Sequence, residues 1–189
     1  LETPEGGLPT NISTQTKVYF MPKISPNLLS LDTAKVTAQG LGFGVNAQQV
    51  SETVYMFTNS NAPTTLQMNI VTGTFSISYN LAQDKSPLGN KPPIAEVAAS
   101  EFRSMLSSAN ILPADLTGPA NSNYLKLSNG QLVAALSLSE SDMVKVNLFR
   151  KSYDNLPSVT GVPDQANVWA IISGSNNRNQ KIVAAEYHY

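Results

Sequence analysis

The chain shows one pattern twice. A stretch with helical spacing is followed by runs of alternating apolar and polar residues, first over residues 30–80 and again over 93–189. Apolar residues three and four positions apart are typical of a helix on a core, and alternation with a period of two is typical of a half-buried antiparallel strand. The pattern predicts a strand-rich α+β fold of two repeats, each a helix packed on antiparallel strands. We expect a first repeat over 1–81, a linker over 82–93 and a second repeat over 94–189.

The first repeat is predicted to begin with a strand at Lys17–Pro22, a β-rich run that the proline closes. Ser30 stands at an N-cap position, Leu41 ends a run with helical spacing, and Gly42 follows at a C′ position. This combination predicts one short amphipathic helix. Three consecutive strands are then expected over residues 50–57, 66–70 and 75–79.

The second repeat is predicted to begin with a helix over residues 94–110, because Pro92-Pro93 precedes it and proline is tolerated at the first helical position. Asn129-Gly130 between two apolar runs predicts a tight β-hairpin. The predicted apolar stripe of the helix consists of Val97, Ala98, Phe102, Met105, Leu106 and Ala109. The remaining predicted elements are a strand over 143–149, an irregular excursion over 151–165 and a last ribbon over 168–189 that closes the sheet.

Charged residues make up only 13% of the chain, against about 25% in typical soluble domains. Such neutral, hydrophilic surfaces are common outside the cytoplasm. The net charge is -1 and the basic residues are not clustered, so the composition argues against nucleic-acid binding. The absence of cysteine excludes disulfides and thiolate chemistry.

No apolar run approaches the roughly 20 residues of a membrane-spanning helix, so we expect no membrane span within this chain. The chain begins with an irregular run, Leu1–Pro9, and without an initiator methionine. We therefore expect a fragment of a longer protein, with a membrane anchor upstream of it.

Specific catalytic and nucleotide-binding motifs are absent from the sequence, and the single histidine, His188, is next to the last residue. We therefore predict no catalytic residue, no metal site and no cofactor. Scattered carboxylates leave a hydrolase as an alternative, since they would act as an acid/base pair if the fold brought them together. These carboxylates are Glu140, Asp142, Asp154 and Asp164.

Aromatic residues of the second half, together with Tyr55 and Phe57 of the first, are candidates for a groove that binds a peptide or a glycan. Because strands alternate, about half of these side chains must face the core, and we expect Trp169 to anchor the core of the second half. The predicted interaction surface consists of Tyr153, Asp154, Asp164, Trp169, Tyr187 and Tyr189.

The ribbon Met68–Phe75, which follows the first helix, resembles the PepSY-like domains of bacterial envelope proteins. The tandem arrangement is similar to the extracytoplasmic YycH and YycI regulators, which restrain a sensor kinase. Two features depart from that pattern: the first helix is short, and the excursion over 151–165 has no counterpart in a minimal unit. The resemblance implies a membrane-anchored bacterial protein whose exposed, non-enzymatic module contacts another envelope protein.

A second hypothesis is a structural surface protein that assembles with itself. Exposed strand edges offer unpaired backbone groups to neighbouring copies. The last ribbon, 168–189, is the edge that we expect to take part in such assembly.

Overall fold

The computed structural model describes residues 27, 29–152, 158, 160 and 165–189. The described residues form an α+β structure in which nine antiparallel strands make one open sheet and two main helices pack on it. The helices are α1 (Ser30–Gly40), α2 (Ala95–Ser108) and the single-turn α3 (Arg178–Lys181). The strands are β1 (Ala47–Gln49), β2 (Val54–Thr58), β3 (Thr64–Asn69), β4 (Phe75–Tyr79), β5 (Asn121–Ser128), β6 (Gln131–Ala134), β7 (Met143–Leu148), β8 (Val168–Ile172) and β9 (Ile182–Tyr187).

The strand order is β1-β2-β3-β4-β9-β8-β7-β5-β6. The halves of the chain join where β4 pairs with β9, with Phe75 opposite Tyr187 and Ile77 opposite Ala185. The expectation that the last ribbon forms an edge of the sheet is therefore wrong, because β9 pairs with β4 on one side and with β8 on the other. The edges of the described sheet are β1 and β6.

The three consecutive strands predicted in the first half are confirmed as β2, β3 and β4, which pair in order. The predicted hairpin is confirmed as well, since Asn129 has φ 51° and Gly130 has φ 80°, the left-handed conformations of a type I′ turn. The short strand β1 was not expected, because its sequence Ala47-Gln48-Gln49 has no apolar alternation. The predicted strand Lys17–Pro22 lies outside the described residues.

Helix α1 ends as expected, with Gly42 at φ 93° in the C′ position. Ser30 is the first residue of the helix rather than its N-cap, because Leu29 holds that position and makes no side-chain cap bond. The Asn27 side chain accepts a hydrogen bond from the Leu29 amide at 2.9 Å. Helix α2 is slightly shorter than predicted, and Val97 of the predicted stripe is exposed whereas Ala99 is buried.

One main core unites the two halves of the chain. Ala38 of α1 and Phe102 of α2 belong to the same buried cluster as residues of β3, β4, β7, β8 and β9. Side chains at alternate strand positions point to opposite faces, so the other face of the sheet carries polar residues such as Gln67 and Ser76. A smaller cluster of Tyr79, Met143 and Val183 packs with leucines of the linker. Within the described ranges, no helix combines the length and the apolar character needed to cross a bilayer.

Candidate functional site

A cavity of about 460 Å³ lies on the helix side of the sheet. It is bounded by the end of α1, one side of α2 and the junction of α3 with β9. Cavities of roughly 300–1,000 Å³ with a mostly apolar lining and a few polar groups are typical of small-molecule sites. The cavity is therefore the first place to look for a function.

The end of α1 is held close to the end of α2, which gives the cavity its closed side. A β-carbon on Gly40 would lie 2.6 Å from the Ala109 Cα atom, so only glycine allows this approach. Gly42 then reverses the chain, and Leu41 and Phe43 on either side of it are both buried. These two side chains form part of the apolar lining, which Ile77 of β4 extends on the sheet.

The polar groups of the cavity include a close ion pair. Lys181 Nζ lies 2.5 Å from Glu101 Oε1. The second carboxylate oxygen, Glu101 Oε2, is buried and has no hydrogen-bond partner among the described residues. The Thr64 side chain is only 5% exposed, and its Oγ1 atom is likewise unpartnered in the part of the chain that the structure describes. Buried polar atoms are almost always hydrogen-bonded in proteins, so two unpartnered oxygens in one cavity are unusual.

The rim of the cavity is formed by the turn that contains α3. The Asn177 side chain caps this turn by accepting a hydrogen bond from the Asn179 amide at 3.0 Å. Arg178 Nη2 donates to the Gly40 carbonyl at 3.4 Å, and Asn59 Nδ2 donates to Asn179 Oδ1 at 3.1 Å. The rim is thus tied both to α1 and to the β2–β3 connection, and it presents an exposed guanidinium beside the cavity.

The predicted interaction residues do not converge on one surface. Val168 pairs with Tyr187 and belongs to the main core, whereas its neighbour Trp169 pairs with Glu186 on the opposite face of the sheet. Trp169 is half-buried and is not part of either core cluster, so the expectation that it anchors the core is wrong. Three of the predicted surface residues, Tyr153, Asp154 and Asp164, lie outside the described residues.

Tyr187 is the aromatic residue of this half that does belong to the core. Its ring stacks on Phe75, its hydroxyl donates to the Ile111 carbonyl at 2.9 Å, and burial raises the pKa of Tyr187 to about 12. Tyr189 lies at the surface, 42% exposed, with the Arg150 guanidinium 4.1 Å from the centre of its ring. The two tyrosines are therefore placed differently, one as packing and one as surface.

Trp169 is the centre of a polar cluster on the face without helices. Its Nε1 atom donates to Glu186 Oε2 at 3.1 Å, and Gln165 Nε2 donates to the same oxygen at 3.2 Å. Lys145 Nζ lies 4.4 Å from the centre of the indole ring, a cation–π distance. His188 Nε2 is 3.6 Å from the Glu186 carboxylate. These contacts hold the indole in place on this face.

The carboxylates considered for a hydrolase have other partners where they are described. Asp142 Oδ2 accepts a hydrogen bond from the Leu127 amide at 2.9 Å, and Glu140 pairs with Lys126 at 3.5 Å. Asp154 and Asp164 are outside the described residues. Within the described ranges, no three His, Asp or Glu side chains are grouped closely enough to hold a metal ion.

Sequence reasoning missed the cavity residues Thr64, Glu101, Arg178 and Lys181. Glu101 occupies a polar position of an amphipathic helix, where a carboxylate is ordinarily solvated, and Arg178 and Lys181 lie in a segment that looks like a hairpin turn. No local signal distinguishes them, because only the packing of α2 against the β4–β9 region brings them together. Comparison of the chain with protein families, curated proteins and solved structures finds no match.

Proposed function

We propose that the protein is a non-enzymatic interaction module that works outside the cytoplasm and binds an extended segment of a partner protein along β6. The observation that carries this proposal is the free edge at β6. No described strand pairs with its outer side. Beside this edge, Val133 is 38% exposed and Leu136 is 95% exposed.

The hairpin geometry determines which backbone groups of β6 are available. Ser128 and Gln131 flank the two-residue turn, so they form the first hydrogen-bonded pair with each other. The Ala135 amide donates to the Tyr124 carbonyl at 2.8 Å, which continues this alternation. The N–H and C=O groups of Leu132 and Ala134 therefore point away from β5 and are free to pair with an added strand.

The side chains at this edge suit strand addition. Natural edge strands are commonly protected by lysine, proline or a bulge, and Gln131–Ala134 has none of these. In strand addition, main-chain hydrogen bonds supply affinity and alternate side chains supply specificity. A partner segment with apolar side chains would cover Val133 and Leu136 and remove their surface from water.

The cellular context is part of the same proposal. We place the module in a bacterial envelope protein with a membrane anchor, and we regard its halves as PepSY-like repeats that share one sheet. The low charged fraction and the absence of cysteine support the location. The order of elements supports the repeats, since α1 precedes the four strands β1–β4 and α2 precedes the five strands β5–β9. Protease accessibility of the full-length protein on intact cells tests the location.

Site-specific photo-crosslinking tests the edge. A photoreactive amino acid is placed at the position of Val133 or Leu136, with the exposed Val36 of α1 as the matched control position. We expect crosslinks to a different protein from the first two positions and none from the third. The substitution Ala134→Pro, which removes one outward-facing N–H group, should abolish these crosslinks without unfolding the sheet. Crosslinking that is equal at all three positions would contradict the proposal.

Self-assembly is a second candidate, because the other edge of the sheet is open as well. Strand β1 ends the described sheet, and Val45 and Val50 beside it are about half exposed. Pairing of β6 in one copy with β1 in the next would be heterologous and would extend without closing. Sedimentation at increasing concentration distinguishes the candidates: growing assemblies favour self-association, and a monomer throughout contradicts it.

A further inference from the structure

We propose that the cavity between α1 and α2 binds a small zwitterion with an apolar side chain, either a free amino acid or a dipeptide. This site is separate from the strand edge proposed above. The proposal rests on three features of the cavity: the two unpartnered oxygens, the opposite charges and the apolar lining.

The unpartnered oxygens show where a ligand would make hydrogen bonds. Thr64 Oγ1 and Glu101 Oε2 both line the cavity, both are buried, and neither has a partner among the described residues. A buried polar group that lacks a hydrogen bond costs about 1–3 kcal/mol, and more when it is charged. A ligand that donates to the carboxylate and exchanges a hydrogen bond with the hydroxyl would remove this cost.

The charges in the cavity favour a zwitterion over a simple anion or cation. Glu101 uses one oxygen for Lys181 and keeps the other for a donor, and an ammonium group is the strongest donor available to it. Arg178 is exposed at the rim and uses one nitrogen for the Gly40 carbonyl. A guanidinium has five N–H donors, so the remaining ones can bind a carboxylate through two parallel hydrogen bonds.

The same charges exclude two other ligand classes. A phosphate group would be repelled by the Glu101 carboxylate, and no glycine-rich phosphate loop lines the cavity. A metal ion would need several ligands, and Glu101 is the one carboxylate among the described lining residues. The site therefore suits an organic molecule that carries both signs of charge.

The apolar lining determines the third feature of the ligand. Besides Leu41, Phe43 and Ile77, the cavity is lined by Met105 of α2 and Ile182 of β9. A ligand side chain that is aliphatic or contains a thioether would gain about 25 cal/mol for each Å² of apolar surface that it buries there. The volume of about 460 Å³ admits one or two amino-acid units.

Calorimetric titration of the whole chain tests the proposal. The probes are leucine, methionine and leucyl-leucine, with N-acetyl-leucine and leucinamide as analogues that lack one charge each. We expect at least one of the first three to bind, and both analogues to bind about tenfold more weakly or worse, since each loses a charged hydrogen bond of about 1.5–3 kcal/mol. Binding of leucine alone would indicate a free amino acid as ligand, and binding of the dipeptide alone would indicate a peptide source.

Three variants connect binding to the named groups. Glu101→Gln should weaken leucine about tenfold and leave N-acetyl-leucine unaffected, because only the former has an ammonium group. Arg178→Gln, at an exposed position where the fold is retained, should weaken leucine and spare leucinamide. The matched control is Glu140→Gln, which breaks the exposed pair with Lys126 and should leave binding unchanged. Absence of binding by every probe, or equal binding by Glu101→Gln and Arg178→Gln, would overturn the proposal. Neither result would affect crosslinking at Val133.

Discussion

The rings of Phe75 and Tyr187 stack across the junction of β4 and β9, with their centres 5.0 Å apart and their planes 3° from parallel. The two residues are register partners in the one pairing that joins the described strands of the first half to those of the second. Tyr187 also donates a hydrogen bond to Ile111, which follows α2. One tyrosine therefore links both halves of the sheet and the helix layer, and we expect the described structure to unfold in a single transition.

Replacement of Tyr187 should reduce stability in two separable steps. Tyr187→Ala removes the stacked ring from the core and should lower the free energy of unfolding by about 3–5 kcal/mol. Tyr187→Phe keeps the ring and loses the hydrogen bond to Ile111, which should cost about 1 kcal/mol. Urea unfolding followed by circular dichroism measures both values. Equal losses in the two variants would mean that the ring contributes little.

A glycine at the start of the β8–α3 connection should be intolerant of any side chain. A β-carbon on Gly174 would overlap the Lys91 carbonyl oxygen, and that backbone is held in place because Lys91 Nζ donates to the Ser141 carbonyl. Gly174→Ala should therefore destabilise the protein by about 1–3 kcal/mol. The control Gly118→Ala, where a β-carbon meets nothing within 4 Å, should change the free energy of unfolding by less than about 0.5 kcal/mol. Thermal melts of the two variants that coincide would contradict this prediction.

Local elements could be read from the sequence because their signals are local. The alternation of Phe75, Ile77 and Tyr79 defines β4, and Asn129-Gly130 defines the hairpin turn. The neighbours of each strand could not be read in the same way. The pairing of β4 with β9 joins segments more than a hundred residues apart, and alternation shows that a strand has a buried face without showing which strand lies beside it.

The cavity was hidden from sequence reasoning for the same physical reason. Thr64 begins a strand, Glu101 lies on the polar side of a helix and Lys181 ends a single-turn helix, and each is ordinary in its own element. Their chemistry becomes unusual only when packing removes water from Thr64 and from one oxygen of Glu101. A desolvated polar atom is a property of tertiary structure, so composition and spacing contain no trace of it.

Acid should destabilise the linker through Asp84. This carboxylate accepts hydrogen bonds from the Ser86 hydroxyl at 2.5 Å, from the Ser86 amide at 2.8 Å and from the Tyr79 hydroxyl at 2.5 Å. The bonds from Ser86, followed by that from Tyr79, lower the pKa of Asp84 below its ordinary value of 3.8. Because the folded-state pKa is the lower one, the stabilisation is fully present above the unfolded pKa and is lost as the pH falls through the folded pKa.

The corresponding variant is Asp84→Asn, with Asp32→Asn on the exposed side of α1 as the control for removal of one charge. We expect Asp84→Asn to be less stable than the parent near neutral pH, and its stability to fall less steeply below about pH 4. Urea midpoints measured across the acidic range test both parts. Parallel pH curves for the parent and Asp84→Asn would show that the carboxylate is not coupled to folding.

The polar cluster around Trp169 should be detectable by fluorescence, because the chain contains one tryptophan. Glu186→Ala removes the acceptor that Trp169 Nε1 and Gln165 Nε2 share, and it leaves a half-buried indole donor without its partner. We expect an emission maximum at longer wavelength, stronger quenching by acrylamide and a loss of about 1–3 kcal/mol in the free energy of unfolding. Glu140→Ala removes a carboxylate that contacts Lys126 instead and should leave the spectrum unchanged. An unaltered spectrum in Glu186→Ala would show that Lys145 and the surrounding strands alone hold the indole in place.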